Sequence, residues 1–187
     1  MAKKNNIVRD QKKEILKLSQ ISLWVDNYDD FFSDFDPRPY SQRTLSDDFV
    51  SEARKSSKET KKGNIELKLL VPKDIRNRAK ERVIRRRLRE YFKKRHEFLD
   101  KKRKEVIKQG SFFISLGVIL MFFTTFVLFK YWQVDFFLTF LSVIAEPAGW
   151  FLFWEGLNLV IFDVKEKGPE LEFNQKMSKS VITFLSY

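Results

Sequence analysis

Hydrophobic positions fall into two regimes along the chain. Residues 111–128 (SFFISLGVILMFFTTFVL) and 134–162 (VDFFLTFLSVIAEPAGWFLFWEGLNLVIF) are almost continuously apolar. Each approaches or exceeds the roughly 20 helical residues that cross a hydrocarbon core. They predict two membrane-spanning helices, over 111–129 and 134–162, with Lys130, Tyr131 and Trp132 at the far interface, where charge and amphipathic rings are comfortable. Outside them the period shortens to two. Ile21, Leu23 and Val25 alternate in ISLWVDNY, and Ile65, Leu67 and Leu69 alternate in NIELKLLVP, ended by Pro72. Both are strand patterns. The β-branched and aromatic SVITFLSY, residues 180–187, predicts a third strand returning to that sheet.

Helical periods fill the intervals. Residues 1–19 predict a short helix, and 45–62 a second, with Ser46 as cap, Asp47 and Asp48 in the first turn and Gly63 after its end. From Asp74 no Gly or Pro intervenes before Gly110, and Ile75, Ala79, Val83, Leu88, Tyr91 and Phe92 give the first half an apolar face. The second half is a polar stalk. The fold expected is an α+β cytosolic domain of about three strands with helices (1–72 and 180–187). A long basic helix (73–110) joins it to a two-helix transmembrane hairpin, and a charged Gly-Pro link (163–179) leads back.

Charge sharpens this layout. The formal charge is +11, and residues 75–108, with sixteen Lys/Arg against five Asp/Glu, carry all of it. Basic residues crowd the start of the first span while the hairpin tip carries only Lys130. The positive-inside bias therefore makes the chain a two-pass membrane protein with both termini in the cytoplasm. The N-terminus MAKKNNIVRDQKKEILKL lacks a secretory apolar core. There is no cysteine, His96 is the single histidine, and no Gly-rich phosphate loop is present. Thiolate chemistry is excluded and an enzyme is not expected; no cofactor or metal is called for.

Three groups of residues carry candidate chemistry. In the second span Asp135, Thr139, Ser142, Glu146 and Gly149 recur at steps of four, three, four and three, hence on one stripe. A carboxyl at bilayer depth is costly and usually faces protein interior or water. The stripe is therefore a candidate pore lining, with Pro147 as a kink. The blander reading is a buried carboxyl serving only packing. A hairpin cannot enclose a pore alone, so the pore reading requires a homo-oligomer. Gly149 and Gly156 share a face that admits close helix approach, a packing role that competes with Gly149 as a pore residue. Glu155 and Asn158, and Trp150 with Trp154, read as interface or packing groups.

The second group is Arg82, Arg85, Arg86, Arg87 and Arg89, a density of like charge that favours an anionic partner: a nucleotide, an oligonucleotide or other nucleic acid, or anionic lipid. Lys101 to Lys108 read as headgroup contacts. The third is an acidic loop, Asp26, Asp29, Asp30, Asp34 and Asp36. It offers internal counter-charge for the arginines; its spacing does not fit an EF-hand.

The block YDDFFSDFDPRPYSQRTLSDDF resembles a signature of small two-pass bacterial membrane proteins of unassigned activity. In chain layout the protein is similar to small membrane effectors of bacterial antiphage defence. That resemblance implies a cytosolic domain sensing a nucleotide or oligonucleotide and an oligomeric membrane part that perturbs ion balance, without assigning residues. Together these features predict a cation-permeable channel gated through the basic domain. The alternatives are a membrane-tethered adaptor that binds an anionic partner without conducting and, behind it, a proton-translocating hairpin.

Overall fold

The computed structural model describes residues 20–59, 66–130 and 135–187. The helix expected over 1–19, the strand residue Ile65 and the tip residues Tyr131 and Trp132 lie outside them. The described chain divides into two compact units, residues 1–96 with 172–187, and residues 97–171.

The first unit is built on a three-stranded, wholly parallel sheet in the order β1 (Gln20–Trp24), β2 (Glu66–Val71), β3 (Val181–Ser186). Register aligns the alternating apolar residues across all three strands. Ile21 pairs with Leu67 and Leu67 with Ile182; Leu23 pairs with Leu69 and Leu69 with Phe184. Parallel neighbours need crossovers rather than tight turns. The first crossover contains α1 (Asp47–Glu59). The second is the whole remainder of the chain: α2 (Arg78–Lys130), α3 (Phe136–Asn158) and α4 (Val164–Lys179). The two long apolar helices are thus an insertion within a β-α-β crossover, which is why a strand returns at the C-terminal end.

Against the sheet pack Phe49 and Ala53 of α1, Ile84, Leu88 and Phe92 of α2, and Phe173 and Met177 of α4, with Tyr28, Phe31, Phe32 and Leu45 from the loop. Leu88, Tyr91 and Phe92 lie on the core side of α2 as expected, whereas Val83 and Ala79 are exposed. The face that buries steps by four through Ile84, Leu88 and Phe92. Asn77 starts this helix: its side-chain oxygen accepts from the amides of Ala79 (3.0 Å) and Lys80 (3.1 Å).

In the second unit, α2 runs through Gly110 without a break, so stalk and first span are one helix. α3, a π turn (Leu159–Asp163) and α4 likewise form one helical run, Phe136–Lys179. The segment 163–179 is therefore helical, although Gly168–Pro169 reads as a break. Phe173 and Met177, one turn apart and buried, hold its latter half in place. Pro169 removes only one backbone donor. Both long helices are long and apolar enough to cross a membrane.

Candidate functional site

Small residues decide how the two long helices of the second unit meet. Gly110, Gly117 and Thr124 on α2, and Ser142, Gly149 and Gly156 on α3, are spaced by seven and buried. A Cβ on Gly117 would lie 2.6 Å from the Gly149 carbonyl oxygen, and one on Gly156 would lie 2.6 Å from that of Gly110. Only hydrogen fits at these crossings. A strict seven-residue repeat favours a left-handed crossing, since 3.5 residues per turn underwinds the helix. The helices run antiparallel, so Thr124 and Ser142 take the next step of the seam.

This seam divides the polar stripe of α3. Ser142 and Gly149 are turned against α2, while Asp135, Thr139 and Glu146 stay exposed. The hydroxyls are satisfied within their own helices: Ser142 donates to the Leu138 carbonyl (2.9 Å), Thr139 to Asp135 (3.2 Å), Thr124 to Leu120 (2.9 Å) and Thr125 to Met121 (2.9 Å). Such back-bonded hydroxyls need no water. Asp135 caps α3, accepting from the Phe136 amide at 2.8 Å. Glu146 alone on the stripe has no side-chain partner among the described residues. It opens on a groove of about 460 Å³ lined by Met121, Thr124, Thr125, Leu128, Phe129 and Trp150. A threonine of the neighbouring helix is a foreseeable partner for a carboxyl at this depth; Thr124 and Thr125 do line the groove, but Glu146 is exposed rather than buried against them. Pro147 lies inside α3, where it withdraws the amide that the Val143 carbonyl would accept from.

In the first unit the five arginines fall on more than one face of α2, since neighbouring helical residues are turned by about 100°. Arg85 lies over the Phe184 ring, 5.7 Å from its centroid. Arg86 pairs with Glu90 at 2.8 Å. The Arg87 guanidinium donates to the carbonyls of Arg43 (2.9 Å) and Gln42 (3.3 Å). Arg82 and Arg89 are exposed.

The acidic loop finds cations near at hand, from Arg43 and Arg38 rather than from α2. Asp29 pairs with Arg43 at 2.6 Å and Asp36 with Arg38 at 2.7 Å. The Arg38 fork, helped by the Thr44 amide, holds the Asp36 carboxyl far below the usual carboxylate range. Asp30 accepts from the Asn27 amide (2.8 Å) in a capping box, Asp26 accepts from the Tyr187 hydroxyl (3.0 Å), and Asp34 is exposed.

One cluster was invisible in the sequence. Glu81, only 4 % exposed, takes a two-pronged contact from Arg76 (2.8 and 3.1 Å) and a hydrogen bond from the Tyr28 hydroxyl (3.1 Å). That hydroxyl in turn accepts from the Asn77 amide at 2.8 Å. The Arg76 bond lowers the Glu81 carboxyl against the opposing effect of burial, while burial raises the Tyr28 phenol.

Comparison with protein-family models, curated proteins and solved structures finds no match for this chain. Function must be argued from the chemistry of these residues.

Proposed function

We propose that the chain is a two-pass membrane protein that self-associates through the face carrying Glu146, forming a cation-permeable path with its basic α/β unit in the cytoplasm. Only 11 % of each apolar window is buried inside the protein, where the core helix of a soluble domain would be mostly buried. Phe122, Phe129, Phe136, Phe151 and Phe162 are each more than 60 % exposed. So much contiguous apolar surface requires lipid or another apolar cover.

The single observation that carries self-association is the unpartnered Glu146 carboxyl. It stands ten residues into α3, about 15 Å along the axis. That is half of a hydrocarbon core of about 30 Å. A carboxyl facing acyl chains there is costly, and further copies of the same face relieve it by sharing protons or water. The candidate lining is Asp135, Thr139 and Glu146, joined by Thr125, with Ser142 and Gly149 serving the seam. An acidic ring of this kind attracts cations. As in the antiphage effectors whose layout it resembles, ion leakage is the expected output.

Planar-bilayer recording on purified protein tests this directly. Glu146→Gln should reduce cation over anion selectivity severalfold while leaving the oligomer intact by native mass spectrometry. Unchanged selectivity in that variant would remove the carboxylate from the path.

The second reading is a membrane-tethered adaptor that does not conduct. It is favoured by the back-bonded hydroxyls, which leave the stripe with little need for water. A monomer or dimer by native mass spectrometry, with no flux, decides for it.

A further inference from the structure

We propose that the groove between the 39–43 turn and one face of α2 binds a small phosphate-bearing anion, with Arg86 and Arg87 as its donors. This goes beyond the membrane reading and does not depend on whether the hairpin conducts. The groove has a volume of about 320 Å³ and is lined by Ser41, Gln42, Val83, Arg86, Arg87 and Glu90. It falls at the small end of ligand-sized cavities. The four α2 residues stand at i, i+3, i+4 and i+7, so they share one face.

The groove has a fixed wall. The amides of Gln42 (2.8 Å) and Arg43 (3.0 Å) both donate to the Pro39 carbonyl, and the Arg43 side chain is anchored on Asp29 and on the Ser33 carbonyl (3.1 Å). That rigid turn offers its Gln42 and Arg43 carbonyls to Arg87. Two bonds orient the guanidinium plane and leave its remaining N–H groups for a ligand, since arginine has five. Arg86 commits only its Nε to Glu90, keeping both terminal nitrogens. The Ser41 hydroxyl and the Gln42 side-chain carboxamide add neutral donors to the lining. Two guanidiniums with hydroxyl and amide donors suit the tetrahedral oxygens of a phosphate ester.

Glu90 gives the site its particular character. A carboxylate on Arg86 is an internal stand-in for the anion, so an incoming phosphate must displace it. Around the groove Lys80, Arg82, Arg89 and Lys94 supply an attractive field. A long polyanion would follow that field along the helix. A groove of this size, with Arg86 and Arg87 side by side in its lining, favours a compact ligand.

Calorimetric titration of the full chain in zwitterionic nanodiscs, with AMP, inorganic pyrophosphate and a single-stranded DNA decamer as probes, tests the site. AMP or pyrophosphate should bind at one per chain. Arg86→Gln should weaken that binding about tenfold, the scale of a lost charge-assisted hydrogen-bond pair. Glu90→Gln should strengthen it severalfold by freeing Arg86, an effect that a diffuse basic surface would show equally for every acid removed. Arg82→Gln, outside the groove, should change it less than twofold. The Arg86 side chain is 83 % exposed, so its removal leaves the fold intact. The proposal is overturned by absent binding of both small probes, by equal losses in the Arg82 and Arg86 variants, or by no gain from Glu90→Gln. Binding of the decamer alone would likewise overturn it, marking α2 as a polyanion surface.

Discussion

Gly117→Leu should pry the two long helices apart and abolish whatever the hairpin does, while the α/β unit keeps its fold. A Cβ at this position meets the Gly149 carbonyl oxygen at 2.6 Å and the Phe153 amide nitrogen at 2.8 Å. Both are backbone atoms of a helix, which cannot rotate away as a side-chain tip can. The helices must separate along the seam, and the neighbouring crossings at Gly110–Gly156 and Thr124–Ser142 separate with them. Overpacking commonly costs about 1–3 kcal/mol, occasionally more. A bilayer gives apolar helices little hydrophobic reason to stay together, so close packing carries most of their association.

The natural absence of cysteine allows a clean readout. Thr124→Cys with Ser142→Cys should cross-link readily by oxidation in the parent and slowly when Gly117→Leu is added. Gly168→Leu is the matched control, because a Cβ there meets nothing within 4 Å. Equal cross-linking in all three proteins would show that the seam does not hold the hairpin.

The contrast between seam and stripe shows what the sequence could and could not convey. Period-two alternation made the first two strands legible, and β-branched and aromatic content the third; Ile21, Leu67 and Ile182 align across the sheet. Two uninterrupted apolar runs likewise made the long helices legible. A step of seven between Gly149 and Gly156 suggested a close approach, but not which residues on the other helix complete it. That needs the antiparallel register, in which Gly117 meets Gly149 and Gly110 meets Gly156.

The polar stripe was ambiguous for a different reason. A serine or threonine in a helix looks the same in sequence whether its hydroxyl faces water or bonds to the carbonyl four residues back, as Ser142 does. Only the carboxyl of Glu146 has no such local outlet, which is why it remains the informative residue of the five. The arginine run suffered from the converse problem. Adjacent letters look like one patch, yet Arg85 packs over a sheet phenylalanine while Arg86 and Arg87 turn to the groove. Contacts between residues far apart in sequence, such as Tyr28 with Glu81, left no local signature.

That last contact supports the other large effect. Arg76→Gln should destabilise the α/β unit by about 3 kcal/mol at neutral pH, the lower end of what a broken buried pair costs. Glu81→Gln should cost less. The asymmetry follows from exposure: the Glu81 side chain is 5 % exposed and that of Arg76 30 %. Losing the arginine strands a carboxylate in the interior, whereas losing the carboxylate leaves a guanidinium that water can reach.

Acid should shrink the difference between parent and Arg76→Gln. In the parent the Glu81 carboxyl is held below its ordinary value, first by the Arg76 hydrogen bond. The stabilisation it provides is therefore complete above the ordinary glutamate pKa and is lost as pH falls through the lowered folded value. Without Arg76, burial dominates and drives the carboxyl upward. Protonation then relieves the variant at a pH where the parent still keeps its ion pair, and the remaining gap closes once the parent protonates too. Hydrogen exchange of the β2 amides in the full chain, followed from pH 7 to pH 3 in urea, should show this convergence. If Glu81→Gln instead proved the more damaging change at neutral pH, the charge of Glu81 would matter beyond neutralising Arg76. The two groups that meet it, the Tyr28 hydroxyl from the loop and the Arg76 guanidinium from the segment ahead of α2, would then be held by the carboxylate itself.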